Sequence, residues 1–163
     1  MAHLLLIYIS MDRVIVVDDN RDLGMLTSEM LVERGFRVNI AFDGETALKR
    51  IKQEPYDVMI LDYRLPGISG LTVLEKTHRI MPNLRTIMIS AFGDDSARSR
   101  AKELRAYAFL DKPFNIDGLV KVVKKTLKKG KKVKEGLTNE EKWKSWDSIF
   151  ASDDGISSSS VCC

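Results

Sequence analysis

The chain has 163 residues, the span of one ordinary domain with tails, and its 44% hydrophobic and 30% charged residues are enough for a core. This excludes disorder throughout and leaves too little chain for a second folded domain. Net charge is +3, but residues 1–120 sum to −1, residues 121–134 carry eight lysines and no acid, and residues 135–163 sum to −4. The body is neutral and the tail is polarised.

The longest apolar run, Leu4 to Ile9, is far short of the roughly 20 residues that cross a bilayer, so no membrane span is expected. It is also poor as a signal peptide, having no preceding Lys or Arg and no small-residue cleavage site. Met11 follows closely, so residues 1–11 read as an N-terminal extension, with an added edge strand at Leu4 to Ile9 as the alternative. The two cysteines, Cys162 and Cys163, are adjacent at the C-terminus and cannot staple one part of a fold to another. A reducing, cytoplasmic setting is expected.

Period and breakers then give a strand followed by a helix five times over. Arg13 to Asp18 is a β-branched strand, after which Asn20 or Asp22 caps a helix through Leu23, Leu26, Met30 and Leu31 that Gly35 stops. Arg37 to Ala41 is the second strand, and the helix after Asp43 and Gly44 carries Ala47, Leu48 and Ile51 on one face. Asp57 to Leu61 is almost wholly apolar, as a strand covered on both faces must be, and a loop from Asp62 to Gly70 follows. A helix from Leu71 to about Ile80 precedes a strand at Arg85 to Ile89, and Asp94 with Asp95 opens a helix to Leu104. The fifth strand is Ala106 to Leu110; the last helix begins near Asn115 or Asp117, runs through Leu119, Val122, Val123 and Leu127, and stops at Gly130. This alternation implies an α/β fold of three layers, a doubly wound parallel sheet with helices on both faces.

In such sheets ligands bind outside the carboxyl ends of the strands. That rim would carry Asp18 and Asp19, Asp62, Ser90 and Lys112, each with a bland reading as a cap, turn former or solvated loop residue. Five chemically compatible residues arriving from separate loops are hard to credit to turn chemistry alone. Gathered carboxylates repel, and Mg²⁺ with oxygen ligands is the usual remedy. A lysine and a hydroxyl opposite could hold phosphoryl oxygens, leaving one carboxylate as nucleophile.

The segments VVDDN, ILDYRLPG, ISA and FLDKPF stand in the order and approximate spacing of a known family: residues 12–129 resemble the receiver domain of two-component response regulators, the single-domain regulators of phosphorelays most of all. The resemblance implies a flavodoxin-like five-stranded sheet of order 2-1-3-4-5. It implies Asp62 as phosphoacceptor, Asp18 and Asp19 as the acidic pair serving Mg²⁺, and a metal-site backbone carbonyl from Arg64. Lys112 would bind phosphate, Ser90 would be the switch hydroxyl, and Phe109 the switch aromatic, whose bland reading is a core phenylalanine. A cis peptide between Lys112 and Pro113 is a further family trait. The implied donor is a sensor histidine kinase or a histidine phosphotransferase docking near the first helix, and the implied output is a contact with a downstream protein. The chain would then be a phosphoacceptor rather than an enzyme, monomeric or weakly dimeric when phosphorylated.

Three rival readings are weaker. The lysines from Lys121 to Lys134 could bind nucleic acid, but the stretch lacks arginine and aromatics and reads better as a solvated helix face. An aspartate-nucleophile phosphatase needs a second aspartate where Asn20 stands, and flavin phosphate would be repelled by the acidic first loop. In the tail, residues 130–163, Thr138 and Glu141 could cap a short helix near 139–150 bearing Trp143, Trp146 and Phe150, with Ser157 to Ser160 unstructured.

Overall fold

In the computed structural model, which describes residues 11–91 and 95–130, strands and helices alternate. The strands are β1 (Arg13–Val17), β2 (Arg37–Ala41), β3 (Val58–Asp62), β4 (Arg85–Ala91) and β5 (Ala108–Lys112). The helices are α1 (Arg21–Glu33), α2 (Gly44–Gln53), α3 (Gly70–Ile80), α4 (Asp95–Glu103) and α5 (Ile116–Gly130). The expected edge strand at Leu4 to Ile9, the capping role of Asp94, the end of the lysine run, the tail helix and the terminal cysteines lie outside the described residues.

All neighbouring strands pair in parallel, in the order β2-β1-β3-β4-β5. Parallel strands need crossovers, which α1 to α4 supply, and α5 follows the last strand; with helices on both sides of the sheet, two cores form. Ile15, Val17, Met59, Leu61, Met88 and Phe109 project to one side against residues of α2, α3 and α4, among them Ala47, Ile51, Val73, Leu74, Ala97 and Ala101. Val14, Val16, Val58, Ile60, Ile87 and Leu110 project to the other, against Leu31 of α1 and Leu119, Val123 and Leu127 of α5. The period of two along each strand sorts the residues between these cores. β3 is buried along its whole length, as the apolar run of its sequence implies.

Boundaries moved where tertiary pairing overrode local signals. β5 begins at Ala108 rather than Ala106, because Arg105 and Ala106 are taken up in closing α4 through bonds to Lys102 and Ala101. β4 continues to Ala91, so Ser90 lies within a strand. Asn20, not Asp22, caps α1, and Asn115 rather than Asp117 opens α5, its carbonyl accepting from the Leu119 amide. Of the apolar residues that mark α1 in the sequence, Leu31 is buried but Leu26 is half exposed, as are Met25 and Val32; the buried positions are Gly24, Thr27 and Leu31. The three small or branched residues fit close to the sheet, and that choice of face is made by packing. Lys121, Lys124 and Lys128 line the exposed side of α5, opposite Val120, Val123 and Leu127. Among the described residues no helix is long and apolar enough to cross a membrane.

Candidate functional site at the carboxyl edge of the sheet

Where β1 ends, Asp18 is held in two ways. Its amide donates to the Ala41 carbonyl at 3.2 Å, and its Oδ1 accepts the Asn20 amide at 2.9 Å. The Asn20 side chain in turn accepts the Leu23 amide at 3.1 Å, so one short turn both starts α1 and aims a carboxylate. Asp18 is buried and Asp19 is exposed.

Asp62 is the last residue of β3 and is only 6% exposed. Its Oδ1 accepts the Arg64 amide at 2.9 Å, and its Oδ2 is ion-paired with Lys112 Nζ. Lys112, the last residue of β5, donates also to Asp18 Oδ2 at 3.1 Å, and the peptide that follows it, to Pro113, is cis. The loop behind Asp62 is anchored by the Tyr63 amide on the Ile89 carbonyl at 2.7 Å and the Gly70 amide on the Tyr63 carbonyl at 3.0 Å.

One carboxylate oxygen each from Asp18, Asp19 and Asp62 lies within a group spanning 4.8 Å, a donor set that could hold a metal ion. Hard oxygen donors of this kind suit Mg²⁺. The Lys112 ammonium bridges Asp18 and Asp62 and offsets part of their charge. Burial, aided by repulsion from Asp62, pushes the Asp18 carboxyl above its ordinary value, against the opposing pull of the Asn20 amide and Lys112. Burial works against the Lys112 charge too, but bonds and attraction from Asp62 and Asp18 outweigh it and leave the ammonium above its ordinary value. Acid and base therefore need each other here.

Ser90 is 1% exposed, and its Oγ has no hydrogen-bond partner among the described residues. A buried hydroxyl left without a partner costs about 1–3 kcal/mol. Phe109, 5% exposed, lies in register with Met88, and Asp111 in register with Ser90. The structure thus brings Asp18, Asp19, Asp62 and Lys112 into one cluster, with Ser90 and Phe109 on the flanking strands. Reading the sequence missed Arg98 of α4, which sits over Phe109 and pairs with Asp111. Period two places Phe109 and Asp111 on one face, but no local signal says which helix residue covers them.

A doubly wound parallel sheet with an acidic cluster that could hold a cation, and a lysine beside it at the carboxyl edge, defines a class of α/β domain with its candidate site at the strand ends. Within that class, residues 14–124 match the profile of the response regulator receiver domain, and the chain belongs to that family. Sporulation initiation phosphotransferase F of Bacillus subtilis is 32% identical over 116 residues, 71% of this chain and 94% of that protein. The chemotaxis protein CheY of Bacillus subtilis is 33% identical over 116 residues, 71% of this chain and 97% of that protein. A CheY-like receiver domain from Methanospirillum hungatei superposes with a TM-score of 0.73 at 28% identity, over 76% of this chain and 98% of its own. The chain is a response regulator receiver, and the family places it in two-component or phosphorelay signalling.

Proposed function

We propose that Asp62 accepts a phosphoryl group from a phosphohistidine and that the acyl phosphate so formed switches contacts with other proteins. The convergence of Asp62 with Asp18, Asp19 and Lys112 carries this reading. An Asp62 carboxylate oxygen forms the new bond to phosphorus, the phosphorus–nitrogen bond of the donor breaks, and the imidazole leaves to be protonated. Lys112 pairs with the added phosphoryl oxygens, and its raised affinity for a proton keeps it cationic for that task. The Ser90 hydroxyl finds its missing partner in the phosphoryl group, and Phe109 follows it by holding its ring inward. Asp18, Asp19 and Asp62, with the Arg64 backbone carbonyl, would hold Mg²⁺, which when bound neutralises charge on the phosphoryl oxygens.

The donor would be a sensor histidine kinase or a histidine phosphotransferase. Met25 and Leu26, apolar and about half exposed in the half of α1 nearer this edge, support docking of the donor there. The name of the sporulation relative, a phosphotransferase, favours a relay step, with a downstream protein as receiver of the signal. In this reading residues 12–129 are the receiver, residues 1–11 and 130–163 are extensions, and the chain acts in the cytoplasm as a monomer or a weak, phosphorylation-dependent dimer. It assists its own phosphorylation and dephosphorylation and is otherwise not an enzyme.

Incubation with acetyl phosphate and Mg²⁺ should add one phosphoryl mass to the intact protein. Asp62→Asn should abolish the addition, and an unmodified wild-type protein would sink the proposal.

A further inference from the structure

Arg98 belongs to the first turn of α4 and is not one of the acidic cluster, yet it closes over β5 at two points. Its Nη2 donates to Asp111 Oδ2 at 2.7 Å, and its Cζ stands 4.6 Å from the centre of the Phe109 ring. Phe109 and Asp111 are two residues apart on a strand and so share a sheet face. The neighbours in register on that face are Met88 and Ser90. One guanidinium therefore covers the face of β5 beside the Ser90 hydroxyl, which has no hydrogen-bond partner among the described residues.

The side chains of Arg98 and Asp111 are 30% and 17% exposed. Mostly out of water, the pair is less screened than a surface ion pair, and the Asp111 carboxylate fixes the guanidinium over the ring. A cation on the face of an aromatic ring attracts it, so turning Phe109 outward loses that contact and uncovers a buried ring.

We infer that Arg98 is a positioning residue for the switch: by holding Phe109 inward it favours the arrangement in which Ser90 moves toward a phosphoryl group on Asp62. This rests on the phosphoacceptor reading above. It predicts that Arg98 raises affinity for a phosphoryl group at a site it does not touch, and that it does so through the ring rather than through its charge alone.

The test is a double-mutant cycle read by binding of beryllium trifluoride, a phosphoryl mimic, in the presence of Mg²⁺. Bound fluoride is followed by ¹⁹F NMR, with thermal melts of each variant run alongside. Arg98→Met, which keeps the aliphatic stem, should weaken binding by more than twofold and at most about fivefold in the otherwise native chain, the ceiling that one cation–ring contact sets when the ring is already inward in the free chain. In the Phe109→Leu background the same change should alter binding less than about twofold, because the ring is gone. Asp111→Asn, which frees the guanidinium, should weaken binding in the same direction by a smaller factor. An equal loss in both backgrounds would show a through-space charge effect and overturn the inference. So would a lowered melting temperature with unchanged binding. If the native chain fails to bind the mimic at all, the phosphoacceptor reading falls and this inference falls with it.

Discussion

A Cβ at Gly70 would overlap the main-chain oxygen of Asp62 and stand 3.0 Å from that of Tyr63. The first residue of α3 thus lies directly on the end of β3, and any side chain there must push away the backbone that carries the central carboxylate. Backbone cannot yield as the tip of a flexible side chain can. Gly70→Ala should therefore destabilise the fold by about 1–3 kcal/mol, measured by urea denaturation, and slow labelling by acetyl phosphate beyond what lost stability explains. Labelling at the native rate would show that the strand end tolerates displacement. Reading the sequence placed Gly70 in a loop with Pro66 and Gly67 but could not see the overlap, because the atoms it would strike belong to another element. The acids and Lys112, by contrast, were legible as single residues, since each follows an apolar strand and so must reach the same rim.

Two helices of the chain close with the same hydrogen-bond pattern on different residues. After α1, the Gly35 amide bonds the Val32 carbonyl and the Phe36 amide the Leu31 carbonyl, with Gly35 at φ 85°. After α4, the Arg105 amide bonds the Lys102 carbonyl and the Ala106 amide the Ala101 carbonyl, with Arg105 at φ 61°. The second closure puts a side chain in the left-handed region that glycine occupies freely. Arg105→Gly should stabilise the domain by about 0.5–1 kcal/mol, seen as a higher urea midpoint with unchanged slope. A lower midpoint would mean that the Arg105 side chain contributes more than its backbone costs. The contrast explains why one helix end was legible and the other was not. Gly35 announces a stop, whereas Leu104, Arg105 and Ala106 carry no breaker, so the sequence pattern starts β5 two residues before the strand does.

At the opposite edge of the sheet from the acidic cluster, a network ties together segments distant in sequence. The Arg13 guanidinium pairs with Glu54 and lies 5.2 Å from the centre of the Tyr56 ring, Tyr56 donates its hydroxyl to Glu54, and the Arg13 amide donates to Asp57 at 2.8 Å. The Tyr56 hydroxyl and then Arg13 hold the Glu54 carboxyl below its ordinary value of 4.5. The folded chain therefore binds a proton at Glu54 less readily than the unfolded chain does. The stabilisation is present above about pH 4.5 and is lost as pH falls through the lowered folded value. Glu54→Gln should accordingly be less stable than the native chain near neutral pH, with the difference shrinking as pH drops below about 4.5, measured by denaturant titration across that range. A difference independent of pH would show that the network acts through packing or hydrogen bonding alone.

The sequence by itself determined the alternation of strands and helices, the buried central strand and the residues that reach the carboxyl edge. These follow from period, from caps and from the rule that side chains alternate along a strand, all of which are local. Only the tertiary structure decided that Gly24, Thr27 and Leu31, rather than Leu26, face the sheet, that Lys112 bridges Asp18 and Asp62, and that Arg98 covers Phe109. Each of those is a choice between partners far apart in the chain, made by the space the packed elements leave and by the charges they bring together.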